Sequence, residues 1–197
     1  MRRVMIGLLL AAAVATGCAS PVTGTPAAPP GPTSPPDVLD ALPWTTVTDG
    51  ATRTTAVLPG PANPQQTELP NADPAQQAVT ATQYEAVTAR SGTVQLFIML
   101  RSPNMTFDSR REVSSVADGL KGTVTANSPV TVDGHPGVDY TITYTSRTSG
   151  QPSVVHTRFV EARDFAVRLT TRGVGKDPAE VAALHQRVAA SLKVPAP

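Results

Sequence analysis

Val138-Asp139-Tyr140-Thr141-Ile142-Thr143-Tyr144-Thr145 alternates apolar or aromatic side chains with polar ones along its whole length. Successive side chains on a strand point to opposite faces, so this run predicts a strand with one buried face and one wetter face. Phe165-Ala166-Val167-Arg168-Leu169-Thr170 repeats the pattern. Ser153–Ala162 is placed to pair with Phe165–Thr171 across Arg163-Asp164. Upstream, Thr82–Arg90 and Thr93–Arg101 flank Ser91-Gly92. Thr45–Thr48 and Ala51–Leu58 flank Asp49-Gly50, a two-residue hairpin signal. Hairpins of half-buried strands build an antiparallel sheet. Pro59–Pro74, rich in Pro, Asn and Gln, predicts a long surface loop.

Two segments change to helical spacing. Asp108 is placed to cap a helix carrying Val113, Val116 and Leu120, with Phe107 before it as a hydrophobic staple. Asp177-Pro178-Ala179-Glu180 combines an N-cap, a proline at the first helical position and an acid in the first turn. Val181, Leu184, Val188 and Leu192 then form one apolar stripe, and Pro195 follows its end. Each stripe must bury against another element, and the half-apolar sheet is the available partner. The expected fold is therefore α+β: a mostly antiparallel sheet packed with helices. Asp37–Leu42 is expected to add a short helix.

The start of the chain has a different character. Arg2 and Arg3 precede the eleven-residue apolar run Val4–Val14, and Ala15-Thr16-Gly17-Cys18 follow. A basic start, a short apolar stretch and small residues make an export signal. A spanning helix needs ~20 apolar residues, so this run is too short for a permanent span. The ending resembles the lipobox of bacterial lipoproteins, although Ala15 stands where leucine is usual. That resemblance implies a diacylglyceryl group on Cys18 and cleavage before it. Two acyl chains are enough for stable anchoring. The other reading is an ordinary secretory signal cut near Ala15. Cys18 is the only cysteine, so no intramolecular disulfide can form and the exported body must be held by its core.

These features divide the chain into a signal peptide at 1–17, a lipidated cysteine with a proline-rich linker at 18–36, and one folded domain at 37–197. Pro21, Pro26, Pro29, Pro30, Pro32, Pro35 and Pro36 alternate with small residues in the linker. Such a segment lacks the apolar surface to offset the entropy of ordering. At ~3.1 Å per residue it could hold the domain up to about 50 Å from a bilayer. The chain carries 16 Lys+Arg and 15 Asp+Glu, and removal of Arg2 and Arg3 with the leader leaves a net charge of −1. No domain-wide field would attract nucleic acid.

The order of parts carries a family resemblance. Trp44 opens the domain, the Asp49-Gly50 turn leads to Leu58-Pro59, and a loop and hairpin follow. Val132-Asp133-Gly134-His135-Pro136-Gly137, two more strands and a helix ending in Ala190-Ser191-Leu192 complete it. This resembles small actinobacterial cell-envelope lipoproteins of the LpqN type, whose domain is similar to the PsbP-like α/β/α sandwich. The resemblance implies a sheet between helices and a non-enzymatic accessory or binding role. It supplies no site residues.

Reactive constellations are scarce. His135, His156 and His185 fall on a turn, a strand and a helix without metal-ligand spacing, so they are read as a turn residue and two surface positions. No metal or cofactor is expected. There is no Gly-x-Ser-x-Gly elbow, phosphate loop or dinucleotide fingerprint. Asp133 and Asp139 are read as solvated, and Asp108, Asp177 and Glu180 as capping residues. Trp44, Tyr84, Tyr140 and Tyr144 are the candidates for a carbohydrate platform, against a reading in which Trp44 plugs one end of the sandwich and Tyr140 and Tyr144 line the core. The expected function is a non-catalytic binding or accessory module, lipid-anchored to the extracytoplasmic face of the cell membrane. Its expected partners are the membrane and an envelope lipid, glycolipid or membrane protein. The alternatives are an unrecognised envelope hydrolase and a passive structural or surface protein.

Overall fold

Strand β7 (His135–Thr145) is the alternating stretch that predicted the sheet, and its apolar set is buried: Val138, Tyr140 and Ile142 are 7%, 2% and 0% exposed. The computed structural model describes residues 39–69, 79–101 and 106–196. The leader, Cys18 and the proline-rich linker lie outside the described residues. In chain order the remaining elements are β1 (Trp44–Thr48), β2 (Thr55–Pro59), β3 (Gln65–Leu69), β4 (Val79–Thr88) and β5 (Gly92–Leu100). Helix α1 (Ser109–Leu120) and β6 (Thr123–Val132) precede β7, and β8 (Pro152–Glu161), β9 (Phe165–Val174) and α2 (Pro178–Ser191) follow it.

Seven strands form one sheet in the order β3-β4-β5-β9-β8-β7-β6, with every neighbouring pair antiparallel. The β1-β2 hairpin is a separate two-stranded sheet. Pleating sends successive residues of β5 into two cores. Leu96 and Ile98 join Val160, Val167 and Leu169 beneath Leu184 and Val188 of α2, with Ala56 and Leu58 of the hairpin. Phe97 and Met99 join Tyr140, Ile142, Phe159 and Ala166 beneath Val113 of α1. The fold is α+β, with one helix on each face of the sheet. Full burial of each large aliphatic side chain contributes about 1.5–3 kcal/mol. Leu58, Leu96, Ile98, Ile142, Leu169 and Leu184 are all buried to this degree.

Both helices start as expected. The Asp108 carboxylate accepts from the Arg110 and Arg111 amides, and Phe107 packs on the Val113 core. Asp177 accepts from the Ala179 amide with Pro178 at the first helical position. Val181, Leu184, Val188 and Leu192 are 0–2% exposed. Helix α1 ends on Lys121 in the left-handed region (φ 51), where its amide reaches the Ala117 and Asp118 carbonyls.

Three expectations need correction. The β1-β2 connection is not a two-residue turn but a wider loop, closed by the Asp49 amide on the Thr54 carbonyl. The buried Asp49 carboxylate accepts from the Thr52 amide (2.8 Å) and hydroxyl (2.9 Å), so it holds the loop from inside. Pro59–Pro74 is not all loop, since Gln65–Leu69 adds an edge strand beside β4. The expected helix at Asp37–Leu42 is, over its described part, a single turn in which the Leu42 amide reaches the Leu39 carbonyl.

Candidate functional site: a basic groove beside the first helix

Arg168, Thr170 and Arg172 alternate along β9, the central strand, and so share the face on which α1 lies. Helix α1 packs over β6, β7 and β8, and on β5 and β9 beside it Gln95 stays half-buried and Arg172 exposed. Its last turn, at Gly119 and Leu120, walls two adjoining cavities that share Gly119, Leu120 and Arg172. One, of about 450 Å³, extends under the β7–β8 turn past Tyr144 and Arg147. The other, of about 260 Å³, runs over Phe97, Tyr140 and Val155 towards Arg168. Sites for small molecules occupy ~300–1,000 Å³, and the pair falls in that range.

The linings contain Arg147, Arg168 and Arg172 and no carboxylate. The three guanidinium groups are differently committed. Arg168 Nη1 pairs with Glu112 Oε1 at 3.3 Å, and its Cζ lies over the Phe97 ring, 4.6 Å from the ring centroid. The Tyr140 hydroxyl donates to the same Glu112 oxygen at 3.2 Å. Burial, with the Glu112 charge behind it, pushes the Tyr140 phenol well above its usual range, so it stays a donor. Arg147 Nη2 donates to the Gly119 carbonyl at 3.3 Å, at the negative end of α1. Arg172 is exposed, and its guanidinium has no hydrogen bond or ion pair among the described residues. The backbone at Arg172 is held by Gly92, which takes φ +103. A Cβ there would lie 2.0 Å from the Arg172 carbonyl oxygen. Only glycine admits this approach.

A third cavity, of about 700 Å³, lies at the other end of α1. There the Glu161 carboxylate accepts from the Ser109 amide at 2.8 Å and from its hydroxyl. With Asp108 also capping, the first-turn amides face two acids and offer nothing to an anion.

Two of the histidines are not on the surface as expected. His185 of α2 is 8% exposed and stacks on His156 of β8, with ring centroids 5.6 Å apart. Each Nδ1 meets a threonine hydroxyl: Thr171 for His185 (3.1 Å) and Thr141 for His156 (2.9 Å). His156 Nε2 is buried without a partner. Burial, then repulsion from His156, pushes the His185 pKa down to about 4, and burial lowers that of His156. His135 begins β7 rather than sitting in the turn; it is buried, with Nε2 2.7 Å from the Pro195 carbonyl. Neither stacked histidine lines any of the three cavities. No histidine lies within hydrogen-bond reach of a serine or a carboxylate among the described residues.

The acids and aromatics also have partners. Asp139, expected to be solvated, forms a two-pronged pair with Arg158 (2.8 and 2.7 Å), whose third donor reaches the Ala189 carbonyl of α2 at 2.9 Å. Asp133 accepts from the Val194 amide. Trp44 packs half-buried on the α2-side core, its indole donating to the Leu39 carbonyl and Arg187 lying 4.4 Å over its ring. Tyr140 is in the core as read from the sequence, and Tyr144 is half-buried in the groove wall. The aromatic platform is therefore not assembled.

Among the described residues no helix is long and apolar enough to cross a membrane, and no group of three or more His, Cys, Asp or Glu is placed to hold a metal ion. No protein-family model matches the chain, and no curated protein matches it. Among solved structures it is similar to LpqN, involved in cell envelope biogenesis of Mycobacterium tuberculosis. The identity is 14%, over 79% of this chain and 92% of that one, with a TM-score of 0.43. It is also similar to PA94 of Pseudomonas aeruginosa, a protein of unknown function: 12% identity, 78% and 98% coverage, TM-score 0.42. Neither likeness assigns this chain an activity, a ligand or an anchor.

Proposed function

We propose that this chain is a lipid-anchored binding module of the extracytoplasmic face of the cell membrane, non-catalytic, holding its ligand or partner in the basic groove beside α1. In this reading residues 1–17 are removed, Cys18 carries the lipid, residues 18–36 are the tether and residues 37–197 bind. The observation that carries the binding role is the groove itself. It is a pair of adjoining cavities with three arginines, an apolar floor and no carboxylate in its lining. The leader, with Arg2-Arg3, Val4–Val14 and Gly17-Cys18, supports the location. The non-catalytic reading is supported by the commitments of the histidines, which meet threonine hydroxyls and a backbone carbonyl rather than a nucleophile. An envelope lipid, glycolipid or membrane protein remains the partner class. Metabolic labelling with an alkynyl fatty acid tests the anchor. The wild-type chain should take up label and sediment with membranes, and Cys18→Ala should lose label and be released. Label that survives the substitution refutes the assignment.

A further inference from the structure

We propose that the groove recognises a phosphate group carried on an apolar body, an anionic amphiphile, with Arg172 and Arg147 on the phosphate and the half-buried Val116 and Leu120 side chains against the apolar part. This rests on the groove being the binding surface, and names the chemistry that it selects.

The division of labour follows from how each cation is already used. Arg168 is neutralised by Glu112 and sits over the Phe97 ring, so it contributes packing and no free charge. Arg147 spends one N–H on the Gly119 carbonyl at the partly negative end of α1, which offsets part of its charge and holds the side chain over the cavity without a carboxylate. Arg172 spends none among the described residues. Two guanidinium charges therefore line one cavity without a counter-ion in its wall. Guanidinium forks match phosphate oxygens in geometry and charge, and such charge-assisted bonds are the strong ones. The adjoining cavity is lined differently. Half-buried Val116 and Leu120 supply open carbon surface above buried Phe97, Tyr140 and Val155, and its arginine is internally paired. A wholly polar anion would leave the Val116 and Leu120 surface wet, whereas an alkyl or aryl group beside the phosphate would cover it. The same wall excludes a cationic headgroup, because the unpaired charges would repel it.

The test uses the full chain in a nonionic detergent and three soluble probes, titrated calorimetrically against protein-containing and protein-free micelles. Hexyl phosphate carries both features, inorganic phosphate the charge alone, and hexanol the chain alone. The expected result is saturable binding of hexyl phosphate, at least tenfold tighter than inorganic phosphate, with no saturable hexanol binding. Loss of one charge-assisted contact corresponds to roughly tenfold or more in affinity, so Arg172→Gln should weaken hexyl phosphate by that factor. Arg172→Lys, which keeps the charge and loses the fork, should fall between. Because Arg172 is exposed and has no partner among the described residues, the variants should melt with the wild type, and this is checked in the same samples. Equal affinity for hexyl and inorganic phosphate overturns the amphiphile. Hexyl phosphate binding unchanged in Arg172→Gln overturns the site. Neither outcome touches the lipid on Cys18, whose labelling is measured separately.

Discussion

Acid should loosen this fold through one histidine. His185 is buried between α2 and the sheet, its ring against His156, and its pKa falls from 6.5 to about 4. A folded pKa below the unfolded one means that the unfolded chain binds more protons between the two values. The stabilisation is complete above pH 6.5, drains as pH falls, and is lost below pH 4. Linkage with these two values gives a loss of about 2 kcal/mol between pH 7 and pH 5. Arg158 nearby opposes the charged ring and Asp139 favours it, but the two are paired with each other, so burial decides the sign. His156 shifts in the same direction and adds to the effect. The measurement is urea unfolding at pH 7, 6 and 5, for wild type and for His185→Gln, which can still meet the Thr171 hydroxyl and cannot titrate. With an m-value of about 2 kcal/mol per molar urea, the wild-type midpoint should fall by about 1 M more than the variant's. Parallel pH dependence in the two proteins would show that His185 is not the group that titrates.

Two further substitutions probe the frame around the groove. Gly92→Ala forces a Cβ to within 2.0 Å of the Arg172 carbonyl at φ +103; it should lower stability by more than about 1 kcal/mol in urea unfolding and weaken anion binding with it. A double-mutant cycle on Asp139→Asn and Arg158→Met should give a coupling energy of about 1–2 kcal/mol. The value is less than for a fully buried pair because Arg158 and Asp139 side chains are 18% and 33% exposed, and a coupling near zero would make the contact incidental.

What the sequence reveals depends on whether one segment carries its own signal. Asp177, Pro178 and the stripe from Val181 to Leu192 hold the cap, start and buried face of α2 within one stretch, and the structure follows them. Strands β3 and β6 carry no such signal. Both lie at sheet edges, and Thr123–Thr131 is exposed or half-exposed throughout, so no apolar period marks it. Asp49-Gly50 misleads because a strong turn pair does not reveal that the aspartate side chain is needed inside a wider loop. His185 is read from the sequence as a surface position and is buried, although Val181, Leu184, His185 and Val188 at i, i+3, i+4 and i+7 already put the imidazole on the buried face.

The groove is the opposite case. Arg168 and Arg172 lie four residues apart on one strand face, which is visible in the sequence, yet the same spacing describes two solvated arginines at a sheet surface. Their different fates come from elements far along the chain. Glu112 on α1 reaches over to neutralise Arg168 at 3.3 Å, whereas the helix ends at Leu120, where Gly119 presents a carbonyl to Arg147 and no acid to Arg172. One helix thereby divides a row of like charges into a packed, neutral part and a free, positive part. A site whose polarity is set by where a neighbouring helix stops can be moved by changing that stop. Leu120→Asp would place a carboxylate in the wall shared by both cavities, and it is the substitution that the electrostatic reading requires to abolish anion binding.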